Sequence, residues 1–191
     1  MKLVLASTSP FRKAILEKLG VPFEIQSPSV DETPLSDETP AQLVERLAIA
    51  KASAIAGQRD RGLVIGSDQV AVIDDHILGK PGNHEKAVQQ LQQAAGKRVV
   101  FQTGLALVNA ATGHVQSEVV PFTVVFRPLG AQQIENYLQR EQPYNCAGSF
   151  KSEGLGIALF EKLEGDDPNT LMGLPLIRLI RMLEKEGLTI I

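Results

Sequence analysis

The run Leu63-Val64-Ile65-Gly66-Ser67-Asp68-Gln69-Val70-Ala71-Val72-Ile73 constrains this chain more than any other stretch. Its β-branched apolar residues predict a strand, since such side chains suit a pleated, packed surface. Ser67, Asp68 and Gln69 are set into its middle. A carboxylate inside a buried strand is costly unless its charge is compensated, so Asp68 requires a metal, a lysine or a water-filled cleft. Asp74-Asp75-His76 then predicts a tight turn, and Ile77-Leu78-Gly79 a short return strand into Lys80-Pro81. A hairpin of that kind is able to carry Lys80 back toward Asp68. A solvated carboxylate on a surface bulge is the plain alternative. A polar triplet in so apolar a run, followed by Gly-Lys-Pro, favours a functional site.

With 191 residues the chain is long enough for one large domain or two closely joined lobes. A net charge of −3 supplies no global reason to bind nucleic acid or an anionic membrane, so phosphate chemistry would need a local basic cluster. Cys146 is the only cysteine, which excludes an intramolecular disulfide and any thiol–metal cluster. Met1–Ala6 reads as a short strand and not a signal peptide, and no apolar stretch approaches membrane-spanning length. A cytoplasmic protein is expected.

Lys2–Ala6 is the first expected strand. Ser9 as cap and Pro10 in the first helical position open a helix to Leu19, stopped by Gly20. Its free N–H groups, with Ser7, Thr8 and Ser9 before it and Arg12 and Lys13 in its first turn, make an anion pocket. Those two bases oppose the helix dipole unless an anion binds. Phe23–Gln26 reads as a strand. The acidic loop after it (Asp31, Glu32, Asp37, Glu38) serves solvation or metal ligation, and composition favours solvation. Residues 40–57 form a helix with Leu43, Leu47, Ala50 and Ala54 on one face; Lys51 lies beside that face, snorkelling or pointing into a cleft. Beyond the central hairpin come a helix from Asn83 or His84 to Ala95, strands Val99–Ala110 and Val115–Phe126, and a helix Ala131–Arg140. A loop 145–156 with Lys151 and Glu153, a strand Ile157–Leu163 and a helix from Gly173-Leu174-Pro175 to Glu186 complete one α/β unit with a mixed sheet. Histidine spacing for a metal, a hydrolase triad and a Walker-type loop are all lacking.

In order and spacing, Leu5-Ala6-Ser7-Thr8-Ser9-Pro10 with Arg12, Val30-Asp31-Glu32, Lys51-Ala52, Gly66-Ser67-Asp68-Gln69, Gly79-Lys80-Pro81, Gly148-Ser149-Phe150, Glu153-Gly154 and Gly173-Leu174-Pro175 resemble the Maf-like nucleoside triphosphate pyrophosphatase family. The resemblance covers nearly the whole chain and implies one α/β domain over residues 1–191. The implied fold is a mixed twisted sheet flanked by helices, with two lobes around a central cleft, like that of inosine triphosphate pyrophosphatases. A homodimer is implied, with a nucleotide as the substrate and neither nucleic acid nor membrane as partner. The implied reaction is metal-dependent attack of water on the α-phosphorus, giving a nucleoside monophosphate and pyrophosphate. Ser7, Arg12 and Lys13 would hold the phosphates, and Lys51 and Lys80 would reach them from elsewhere. Asp68 matches the proton acceptor. Glu32 with Asp68 would ligate a divalent cation, magnesium or manganese given oxygen ligands alone.

The resemblance also carries departures. Members acting on dTTP and UTP have a second basic residue where Phe11 stands, a threonine or similar at Gln69, and a glutamine at Glu153. Phe11, Gln69 and Glu153 together resemble the branch that hydrolyses 7-methyl-GTP, and are the expected base-contacting set. The alternatives are a dTTP/UTP pyrophosphatase, a phosphatase releasing inorganic phosphate, and a noncatalytic septation regulator tied to cell-division arrest.

Overall fold

Alternation of large and small apolar residues in three strands decides how the helices stack. A computed structural model describes residues 2–191. Its strands are β1 (Leu3–Leu5), β2 (Phe23–Ile25), β3 (Leu63–Ile73), β4 (His76–Leu78), β5 (Arg98–Asn109), β6 (Val115–Phe126) and β7 (Phe160–Glu164). Its α-helices are α1 (Pro10–Glu17), α2 (Pro40–Ala56), α3 (His84–Ala94), α4 (Ala131–Glu141) and α5 (Leu176–Lys185). The strands form one seven-stranded sheet in the order β2-β1-β3-β5-β6-β7, with β4 on β3. β1 runs parallel to β2 and to β3 (Leu3 opposite Leu63, Leu5 opposite Ile65), while β4 and β7 run antiparallel to β3 and β6. The mixed sheet expected from the sequence is therefore present, and β3 has the expected limits.

The chain divides into two compact units. The first comprises residues up to Gln69, Gln102–Val120 and Asp167–Ile191. On one face of its strands Leu3, Leu5, Leu63, Ile65, Leu105 and Leu107 pack with Ile15 and Leu16 of α1 and Leu179 and Leu183 of α5. On the other, Val4, Ala6, Val64, Ala106 and Val108 meet Ala48, Ala52 and Ile55 of α2. The period of two sends the bulky set one way and the small set the other. Small side chains let α2 lie close, and two glycines let it lie closer still. A Cβ at Gly66 would stand 2.1 Å from the Ala48 carbonyl oxygen, and one at Gly104 would stand 2.0 Å from that of Val44. This contact rotates α2 relative to the expected face: Val44, Ala48, Ala52 and Ile55 are buried beside Leu43 and Leu47, whereas Ala50 and Ala54 are only half-buried.

The second unit comprises Val70–Phe101 and Pro121–Asp166. Its centre is a set of edge-to-face rings, Phe101, Phe126, Phe150 and Phe160, with centroids 5.0–5.5 Å apart. Asp74 and Asp75, at φ +45° and +63°, make the tight turn between β3 and β4. The strand expected from Ile157 starts instead at Phe160. Leu155–Leu159 is a 3₁₀ turn, because the Lys151 carbonyl accepts from the amides of both Gly154 and Gly156 and coils the backbone there. Among the described residues no helix is long and apolar enough to cross a membrane.

Candidate active site

Asp68 finds its compensating charge in a lysine. Close packing of α2 brings Lys51 to the strand, where its Nζ donates to Asp68 Oδ1 at 2.7 Å and pairs with Glu32 Oε1 at 2.8 Å. The Lys51 and Asp68 side chains are only 9% and 13% exposed, while Glu32 is 60% exposed. The inner pair therefore interacts in a poorly screened setting and the outer one largely in water.

A second cation stands over these carboxylates from α1. Ser9 caps that helix, its hydroxyl accepting from the Arg12 amide, as the sequence predicts. The Arg12 guanidinium donates through Nε to the Gly173 carbonyl (2.9 Å) and through Nη1 to Ser7 Oγ (3.4 Å). Burial pulls the Arg12 pKa below its ordinary value, and the charges of Asp68 and Glu32 push it back up. An arginine remains protonated throughout. The same Gly173 carbonyl accepts from Ser67 Oγ at 2.8 Å. Gly173, at φ +96°, ends the 3₁₀ turn Pro168–Met172, a backbone position that favours glycine.

Gln69 is tied to that same turn. Its Nε2 donates to Thr103 Oγ1 and to the Thr170 carbonyl, both at 2.8 Å. The amide's donors are thus committed within the fold, leaving its Oε1 for a ligand. Phe11 is 41% exposed at the start of α1. Lys13 does not join the cluster; its Nζ lies 3.7 Å from Glu17 in a solvated pair one turn along the helix. Lys80 and Glu153 belong to the second unit, and both are exposed. Lys80 follows β4, and Glu153 sits on the loop 151–154 with its Oε2 3.4 Å from Ser152 Oγ. Ser67, Thr103, Thr170 and Gly173 carry no role in the sequence reading. The signal for two of them was on view in Gly66-Ser67-Asp68-Gln69 and Gly173-Leu174-Pro175, whose meaning emerges only when the two motifs touch.

Among the described residues no group of three or more His, Cys, Asp or Glu side chains gathers as a metal cage. Glu32 and Asp68 face one another across an ammonium. That donor set fits magnesium, which takes one or two carboxylates and completes its shell with phosphate oxygens and water. It does not fit a metal held by protein alone. Two carboxylates and two buried or half-buried cations equip the first unit to bind a polyphosphate and to accept a proton beside it.

Fold and cluster together define a class. The profile of the family described as Maf-like protein matches residues 2–186, and the chain belongs to that family. Over 185 residues it is 60% identical to the 7-methyl-GTP pyrophosphatase of Nitrosococcus oceani, covering 97% of this chain and 93% of the relative. Among solved structures, the Staphylococcus aureus Ham1 protein shares its fold at a TM-score of 0.52 and 15% identity, over 97% of this chain and all of that one.

Proposed function

We propose that the protein is a nucleoside triphosphate pyrophosphatase whose substrate is 7-methyl-GTP and whose products are 7-methyl-GMP and pyrophosphate. The observation that carries this reading is the buried Lys51 ammonium, 2.7 Å from Asp68 and 2.8 Å from Glu32, in a chain 60% identical to a protein named for that activity.

Phosphoryl transfer asks for positioned positive charge and an oriented water more than for covalent chemistry. Arg12, steadied by Gly173 and Ser7, supplies a charge directed from the start of α1 at the phosphate chain. Lys51 supplies a second, and Lys80 a third. Asp68 takes the proton of the attacking water as its oxygen bonds to the α-phosphorus and the bond to the departing pyrophosphate breaks. Glu32 and Asp68 are the residues that would hold a divalent cation, magnesium or manganese, which supplies charge stabilisation to the phosphate oxygens. Phe11 offers an aromatic face to the cationic methylated ring, and Glu153 offers a carboxylate to the guanine N–H edge. Gln69 contributes through its Oε1. Lys13 would have to leave Glu17 to reach a phosphate, which makes it the weakest member of the set. By the same resemblance the molecule works as a cytoplasmic homodimer.

The test is product analysis with 7-methyl-GTP, GTP, dTTP and UTP in the presence of magnesium or manganese. The expected result is pyrophosphate release with 7-methyl-GTP preferred at least tenfold in kcat/KM. Inorganic phosphate as the first product, or a preference for dTTP or UTP, would overturn the proposal.

A further inference from the structure

One face of α4 lines a cavity of about 220 Å³ that lies wholly within the second unit and takes no part in the chemistry above. Gln133, Asn136, Tyr137 and Arg140 recur at three- and four-residue spacing and so project from α4 together. Leu155, Ala158 and Leu159 of the 3₁₀ turn and Leu129 supply the apolar surface, and Arg127 closes the lining. Among the described residues Arg127 and Arg140 share with Arg12 and Arg61 the lack of a carboxylate partner, and of these four Arg127 and Arg140 line one cavity. Arg46, Arg59, Arg98, Arg178 and Arg181 each pair with a carboxylate, whereas among the described residues neither Arg127 nor Arg140 does. Arg127 has only the Ala158 carbonyl, at 3.3 Å from Nη1. A cation near the C-terminus of α4 suits the helix dipole, which accounts for Arg140 in part and for Arg127 not at all.

The walls are fixed by bonds that give neither arginine a carboxylate. Tyr137 is buried, and its hydroxyl accepts from the Lys151 amide at 3.1 Å. Glu141, the one carboxylate in the last turn of α4, is occupied by the Leu155 amide at 2.8 Å and by Lys151. The wall is thereby held in place, and the Glu141 carboxylate is committed to the loop.

We propose that this cavity is a second ligand site, specific for a small organic anion: one phosphate or carboxylate borne on a compact apolar body. Two guanidiniums select the anion, since their fork geometry matches planar or tetrahedral oxyanions. The two side-chain amides orient it, and the leucine surface takes the body. At about 220 Å³ the space falls below that of drug-sized pockets, from ~300 Å³ upward, and so matches a compact ligand better than a nucleoside triphosphate. The site stands independently of the reading given under Proposed function.

Phenyl phosphate is the probe, titrated into the full chain labelled with nitrogen-15, and the side-chain amide signals of Gln133 and Asn136 are the readout. Saturable shifts are expected in the wild type, with binding at least tenfold weaker in Arg140→Ala and in Arg127→Ala. Both residues are exposed, so both variants should fold, and an unchanged Tm confirms it. Lys51→Ala should leave these shifts intact, which separates this site from phosphate binding at the first unit's cluster. Inorganic phosphate alone should bind more weakly than phenyl phosphate because it leaves the leucine surface empty. Absence of shifts at Gln133 and Asn136, equal affinity in the arginine variants, or loss of the shifts in Lys51→Ala would each overturn the proposal.

Discussion

At the scale of single residues, Lys51 and Asp68 depend on each other. Both are largely withdrawn from water, and each is the other's nearest opposite charge. Removing one partner of a buried pair costs about 3–5 kcal/mol because the survivor is stranded, whereas removing both is far milder. Glu32 is mostly solvated and cannot replace what is lost. Lys51→Met should therefore lower the unfolding free energy in urea by about 2–3 kcal/mol, and the Lys51→Met/Asp68→Asn double variant should recover most of it. Additive losses in the double variant would mean that the two charges are not coupled. Function separates the same residues differently. Asp68→Asn keeps the shape but neither takes a proton nor charges a metal site, so turnover should fall roughly a thousandfold while the far-ultraviolet spectrum is unchanged. A variant with a tenth of the wild-type rate would take Asp68 out of the reaction.

Elements are placed by contacts between parts of the chain far apart in sequence, and here legibility from sequence changes sharply. Strand β3, the cap at Ser9 and the turn at Asp74-Asp75 could be read because each depends on neighbours within a few residues. The register of α2 on the sheet could not, since it is set by Gly66 and Gly104, in different strands. The destination of Lys51 hangs on that register, so the sequence left it open between snorkelling and a cleft. Gly104→Ala is the direct test: a methyl 2.0 Å from the Val44 carbonyl must push α2 outward, at a cost of at least ~3 kcal/mol in denaturant unfolding. A loss below ~1 kcal/mol would mean that α2 yields easily. The acidic loop holds a second such contact. Glu38 accepts from Arg46 Nε at 2.5 Å and Nη2 at 2.8 Å, and Arg46 Nη2 also donates to the Thr33 carbonyl. Arg46 chiefly, with the Leu35 amide, takes the Glu38 pKa from 4.5 down to about 2. Because the folded value is depressed, this clamp contributes fully above pH 4.5 and is lost as pH falls through about 2. In Arg46→Ala, Glu38 should titrate near its ordinary value by carbon-13 NMR, and amides 33–38 should exchange faster at neutral pH. An unchanged Glu38 titration would show that Arg46 is not its partner.

For the whole molecule the question is whether selectivity comes from overall charge or from single contacts. A chain of net charge −3 repels every nucleoside triphosphate and attracts a cationic methylated base slightly, wherever that base binds. That contribution is screened over about 8 Å at physiological ionic strength and should fade as salt is added. A carboxylate hydrogen-bonded to the base edge is screened far less, and is worth roughly 1.5–3 kcal/mol against a charged donor pair. 7-Methyl-GTP and GTP carry the same triphosphate, so the ratio of their kcat/KM values cancels phosphate binding and isolates the base. Composition gives only the first of these contributions; the second is assigned to Glu153 by the family resemblance alone and not by any local pattern, because an exposed glutamate in a loop looks the same whether it meets solvent or substrate. The wild-type ratio should hold nearly constant between 50 and 500 mM salt, a span over which the Debye length falls roughly threefold. Glu153→Gln, which keeps size and removes charge, should lower the ratio at least several-fold at every salt concentration, since ~1.4 kcal/mol is a factor of ten. If the ratio collapses with salt in the wild type, the field of the whole molecule does the selecting. If it is the same in wild type and variant, Glu153 does not read the base.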